Sequence, residues 1–186
     1  MKFKLLGWPE IAEKNMTHSN IYPFKTRPYA HQRKAWELSR EKDEFALFMD
    51  MGTGKSKVII DTIAWLYDKG RIDSALIVAP KGVYQNWIRN EIPTHLPDHI
   101  VTQQAAWYSS PKKDQEKAIK NILTPTHDLR IFVMNVEAFS TSKGVKFAES
   151  FMRCAGKCMM IVDESTTIKS PKASRTKSII RIGIQA

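Results

Sequence analysis

At 186 residues the chain is long enough to bury the core of one medium domain. Its 42% hydrophobic and 26% charged residues are those of an ordinary globular protein, which excludes wholesale disorder. The 29 Lys and Arg against 19 Asp and Glu leave a formal charge of +10, which favours polyanionic partners, nucleic acid foremost.

In chain order, residues 1–26 carry Pro9 and Pro23 with little periodicity and read as an N-terminal extension. Tyr29 to Ser39 then follows an amphipathic helical pattern. Apolar, β-branched or aromatic runs predict strands over Phe45 to Met49, Ala75 to Ala79, Ile131 to Met134 and Met159 to Val162, with a weaker one around Ile100 to Gln103. Helical periodicity fills the intervals: Ser56 to Tyr67, Val83 to Glu91, Pro111 to Ile122, Val145 to Cys154, and a last helix from near Pro171. Strands alternating with helices predict an α/β domain over residues 27–186, with a central, mostly parallel sheet flanked by helices on both faces. No interior domain boundary interrupts it. The chain stops at Ile179-Ile180-Arg181-Ile182-Gly183 without a closing strand, which reads as truncation within a larger protein.

No run approaches a membrane span, and MKFKLLGWPE has too short an apolar stretch for a signal peptide. Cys154 and Cys158 lack the spacing and partner histidines of a zinc site and read as buried thiols of a reducing compartment. The expectation is a protein of the cell interior.

The strongest local signal is Met49-Asp50-Met51-Gly52-Thr53-Gly54-Lys55-Ser56, set between an expected strand and an expected helix. Gly52 and Gly54 let the backbone curl so that successive N–H groups point inward, and the helix N-terminus adds partial positive charge. In such a cradle Lys55 supplies a point charge to the β and γ phosphates of ATP, and the Ser56 hydroxyl reaches Mg²⁺. Gly52, Thr53, Gly54, Lys55, Ser56 and the following Lys57 are the candidate nucleotide contacts. Met49 stands where the full phosphate-loop pattern has its first glycine, which disfavours a small-molecule kinase or GTPase.

The second signal is Met159-Met160-Ile161-Val162-Asp163-Glu164, an apolar strand ending in two carboxylates. Asp163 is placed to face the Mg²⁺ shell, and Glu164 to orient and polarise the attacking water. An acidic pair of this kind also occurs simply as a complement to a helix dipole. Its position several βα units after the cradle favours the chemical role.

Together these motifs resemble helicase superfamily two, and within it the Swi/Snf branch of DNA translocases. That branch commonly shows a Met-Gly-x-Gly-Lys loop, and an Asp-Glu-Ala-His motif followed by Ile-Lys and Pro; here Ser165-Thr166 replaces Ala-His before Ile168-Lys169-Ser170-Pro171. Arg27-Pro28-Tyr29-Ala30-His31-Gln32 is similar to the branch's glutamine motif, which implies that Gln32 reads the adenine edge, with Tyr29 or Phe24 as stacking candidates. Ala79-Pro80-Lys81 through Asn86-Trp87 resembles motif Ia, implying a nucleic-acid backbone contact at Lys81, while Trp87 reads as core. Asn135 stands in the place of motif Ib as a further contact.

The resemblance implies a RecA-like ATP-binding lobe that uses ATP and Mg²⁺, grips the phosphate backbone of duplex or branched DNA, and needs a second RecA-like lobe in cis. On this reading the isolated lobe binds nucleotide and hydrolyses it poorly, because the second lobe supplies arginines to the γ-phosphate. A strand-separating DNA or RNA helicase, and a stand-alone nucleotide-gated binding module, are the alternatives. The Ser-Thr variant of the acidic motif suggests a compact bacterial or phage member.

Overall fold

The computed structural model describes residues 22–168 and 170–186. Its centre is a four-stranded, wholly parallel sheet: β1 Ser74–Ala79, β2 Thr102–Ala106, β3 Leu129–Asn135 and β4 Cys158–Val162, in the spatial order β2-β3-β1-β4. Parallel neighbours require crossovers, and helices supply them. The helices are α1 Ala30–Ser39, α2 Lys55–Asp68, α3 Tyr84–Asn86, α4 Ile92–His95, α5 Lys113–Ile122, α6 Ser142–Cys154 and α7 Ser174–Gly183.

Side chains alternate across the sheet, so one strand feeds two cores. Ala75, Ile77 and Ala79 of β1, with Ile131 and Val133 of β3, pack under Ile60 and Ile63 of α2 and under Trp87 and Ile92. Leu76, Val78, Phe132 and Met134 face the other way, against Ile119 and Ile122 of α5, Phe151 and Met152 of α6, and Ile179 and Ile182 of α7. Strands covered on both faces carry no polar alternation, which is why β1 and β3 read as continuous apolar runs. Each fully buried Leu, Ile, Val or Phe contributes about 1.5–3 kcal/mol.

The amino edge of the sheet is closed by Asp73. Its Oδ1 accepts from Arg130 Nη2 at 3.3 Å, and its Oδ2 accepts from the N–H groups of Gly156 and Lys157 at 3.0 and 3.1 Å. Arg130 also donates to the Cys154 carbonyl at 3.0 Å, so one buried guanidinium ties three connections together. This leaves the opposite, carboxyl edge for the loops that carry chemistry.

The structure corrects three expectations. Phe45 to Met49 forms no strand: the segment is without regular structure, and Phe45 and Phe48 are 50% and 97% exposed. Strand-forming residues need a ladder partner, and among the described residues none pairs with this segment or with the outer side of β4. The helix expected over Val83 to Glu91 is α3, then a π-helical segment Trp87–Glu91, then α4. The weaker strand lies at Thr102–Ala106 rather than Ile100 to Gln103, because Ile100 is buried in the turn that precedes it.

Of the expected extension, residues 1–21 lie outside the described residues, and residues 22–26 pack on the domain. The Tyr22 hydroxyl donates to Asp68 at 2.6 Å, Phe24 meets Trp36 edge-on at 4.9 Å between ring centroids, and Thr26 bonds His95 at 2.7 Å.

Candidate active site and nucleic-acid surface

Helix α2 returns from the glycine loop to the turn that feeds the start of β1, so its N-terminus lies at the carboxyl edge of the sheet. Gly52 and Gly54 adopt φ of +76° and +82°, the left-handed conformation that favours glycine. Thr53 closes the turn, its Oγ1 donating to the Asp50 carbonyl at 2.7 Å. Lys55 opens α2 with its ammonium folded over the loop, donating to the carbonyls of Met49 and Asp50 at 2.9 Å each. Gly54, the N-cap of α2, offers no side-chain cap, and the first turn holds no acidic residue. The helix start is therefore open to an external anion.

Gln32 is buried, and its amide joins two segments: Nε2 donates to the Thr53 carbonyl at 3.0 Å and Oε1 accepts the Tyr29 N–H at 3.0 Å. His31 Nε2 reaches the same Thr53 carbonyl at 3.1 Å. The start of α1 thus touches the glycine loop directly. Of the two stacking candidates, Phe24 is engaged with Trp36 and Tyr22, whereas Tyr29 is 72% exposed and stacks on His31.

Lys57 faces elsewhere. Its Nζ bonds Asp61 Oδ2 at 2.8 Å inside the domain, with 5% and 1% of the two side chains exposed. It is turned away from the loop to which the sequence assigned it, because the third residue of α2 falls on the helix's core side beside Val58 and Ile60. Burial pushes the Asp61 carboxyl up to about 6, against the opposing pull of Lys57.

At the end of β4, Asp163 is anchored to the sheet by its N–H, which donates to the Val78 carbonyl at 2.8 Å. Its Oδ2 accepts from the indole Nε1 of Trp87 at 3.3 Å. Glu164 follows with φ of +52°, the one non-glycine residue of positive φ among those described. Such conformations cost about 1–3 kcal/mol and persist where the surroundings impose them, often at functional sites. Ser165–Ile168, a 3₁₀ turn with Thr166 exposed, continues from it.

Asn135 ends β3, and Lys81 and Asp163 follow the ends of β1 and β4 on the same edge, with Ala79 opposite Asn135 and Val78 opposite Val162. Lys81 is exposed and lines an open groove of about 350 Å³ with Gly82, Gln85, Asn86, Arg89 and Asn90. Asn135 is partly occupied: its Oδ1 accepts the Ala138 N–H at 2.8 Å and caps the 3₁₀ turn Val136–Ser140. The bond from Trp87 to Asp163 was not legible in the sequence, since the two lie 76 residues apart and tryptophan reads as core.

The donor set fits a magnesium nucleotide. An uncapped helix start and a cation held only by carbonyl dipoles suit phosphates, and the Ser56 hydroxyl with the Asp163 carboxylate are the hard oxygens that magnesium takes.

The sequence profile of the SNF2-related domain matches residues 29–186. The chain belongs to the SNF2-related family. Within that family it is similar to Protein CHROMATIN REMODELING 24 of Arabidopsis thaliana, 28% identical over 179 residues, which cover 90% of this chain and 16% of that protein. It is also similar to Probable ATP-dependent DNA helicase CHR12 of Arabidopsis thaliana, 28% identical over 132 residues, covering 70% of this chain and 11% of that protein. The chain therefore spans a small part of the length of these relatives. Among solved structures it resembles the Sulfolobus solfataricus SWI2/SNF2 ATPase core in complex with dsDNA, with a TM-score of 0.52, 16% identity, and coverage of 87% of this chain and 36% of that one. The SNF2-related chain has the α/β fold of a RecA-like ATPase lobe, as its motifs imply. No helix among its described residues is long and apolar enough to cross a membrane.

Proposed function

We propose that this SNF2-related chain is the first ATP-binding lobe of a DNA translocase, with the glycine loop and the Asp163–Glu164 strand end as its nucleotide site. The observation that supports this reading is their placement on the same edge of the sheet: an uncapped helix start at Lys55, and a carboxylate pair at the end of β4, which pairs with β1. Backbone N–H groups at Gly54 to Ser56 receive the phosphates, and Lys55 exchanges its two carbonyl partners for them. Magnesium, when bound, neutralises charge on the phosphate oxygens. Ser56 and Asp163 would hold the ion, and Glu164 would orient water. Gln32, already bonded to Thr53, relates occupancy of the loop to the base-reading segment and the exposed Tyr29 ring.

Duplex DNA lies along Lys81, Gln85 and Arg89, held by its phosphates without sequence reading. The DNA-bound complex of the SWI2/SNF2 ATPase core and the helicase named among the relatives support DNA over RNA as the partner. Turnover requires a second lobe, since an arginine delivered to such a site raises the rate about 10³–10⁵-fold.

Calorimetric titration of the 186-residue chain with ADP, in magnesium and in EDTA, tests the site. Binding that tightens when magnesium is present and disappears in Lys55→Ala is expected, and a heatless titration of the parent chain would end the reading. Comparing duplex DNA, single strands and RNA as stimulators of ATP hydrolysis by the protein with its second lobe tests the partner; preference for RNA would overturn it.

A further inference from the structure

Trp87 bridges two places that the proposed function keeps apart. Its indole is 2% exposed, wedged beneath the sheet edge with Ala79 and Ile161, and its Nε1–H is aimed at Asp163 Oδ2, 3.3 Å away. The same residue opens the π-helical segment Trp87–Glu91, in which the Ile92 N–H reaches back to the Trp87 carbonyl. π turns are rare, and within this one Arg89 and Asn90 line the outer groove, together with Gln85 and Asn86 of α3, while Trp87 is buried. One short element therefore carries the groove on one side and the carboxylate's hydrogen-bond donor on the other.

We propose that Trp87 is a positioning residue that couples occupancy of the Lys81–Asn90 groove to the orientation of the Asp163 carboxylate. The claim rests on the nucleotide site proposed above. Asp163's main chain is fixed by its bond to Val78, so the side chain's remaining freedom is rotation, and the indole N–H limits that rotation by holding one oxygen. The other oxygen is left for a cation. A separation of 3.3 Å lies just beyond the usual range for an N–H···O bond, so the contact is a weak one that a small displacement of the segment strengthens or breaks. A polyanion drawn against Lys81 and Arg89 pulls on the element that bears the donor. By linkage, magnesium nucleotide at Asp163 must alter the groove's affinity for that polyanion by the same factor.

Trp87→Phe keeps the buried ring and removes the N–H. ADP affinity of the parent and variant chains is measured by calorimetry in EDTA and at graded magnesium, with and without a short DNA duplex. In the variant, magnesium-free ADP affinity stays within about twofold, while the magnesium needed for half of the metal's effect rises about tenfold, the range of lost partners of metal ligands. The factor by which duplex changes magnesium–ADP affinity falls to one. An unchanged magnesium requirement, or an unchanged duplex factor, overturns the proposal.

Should the variant not fold, the parent chain answers. With ¹⁵N-labelled tryptophan, and its five indoles assigned by replacing the other four singly with Phe, the Trp87 Nε1–H resonance moves when magnesium is added to the ADP-bound chain and again when duplex is added. A resonance that ignores either addition overturns it. A parent that binds no ADP at all removes the nucleotide site and this coupling together. A parent that binds ADP but shows neither effect removes the coupling alone.

Discussion

Lys57 and Asp61, one turn apart on α2, form an ion pair within the domain at 2.8 Å, and the Lys57 ammonium also lies 5.4 Å from the centroid of the Phe24 ring. The pair therefore anchors the segment around Phe24 as well as the helix. Lys57→Met strands a buried carboxylate whose Oδ1 already has no partner. A loss of about 3–5 kcal/mol in urea unfolding is expected. Lys57→Met combined with Asp61→Leu recovers most of it, and ADP affinity per folded molecule stays that of the parent.

The same carboxyl sets a pH dependence of stability. Burial raises Asp61 from 3.8 to about 6 in the folded chain, so between these values the folded state holds a proton that the unfolded state has released. Its contribution is thus fully present below about 3.8 and is lost as pH rises through 6. Asp61→Asn removes that component: midpoints of urea unfolding at pH 4, 5, 6 and 7 fall less steeply towards neutrality than in the parent. Parallel profiles would contradict the assignment.

Gly54 combines φ of +82° with a close neighbour, since a Cβ there would run into Gln32 Nε2. Gly54→Ala should cost about 1–2 kcal/mol in backbone strain and push the Gln32 amide off Thr53. Adding Gln32→Ala relieves the collision but not the strain, so the double variant regains part of the thermal midpoint lost.

Strand β1 was legible for a simple reason: it is covered by side chains on the sheet's two faces, and an unbroken apolar run announces that. The glycines at 52 and 54 announced the bend just as directly. Phe45 to Met49 has the same apolar signature without a ladder partner among the described residues, and sequence pattern cannot tell the two apart. Lys57 carried a readable warning, an aspartate four residues on, flanked by the core residues Val58 and Ile60. The π turn at Trp87 has no such signature, because one extra residue in a helical turn depends on what the helix packs against.

Lys81→Ala and Arg89→Ala test the groove by salt titration. Each removed phosphate contact should lower the slope of log affinity for duplex DNA against log salt by about 0.9, with no change in sequence preference. Asn135→Ala serves as the contrast. Its loss removes the cap on Ala138 at a cost of about 1 kcal/mol, and leaves the slope as it was.

The exposed Phe48 and Met51, at 97% and 89%, give the molecule two greasy handles before Gly52. At low ionic strength the +10 charge keeps copies apart. A high-salt wash during purification screens that repulsion and so invites clumping through those two side chains.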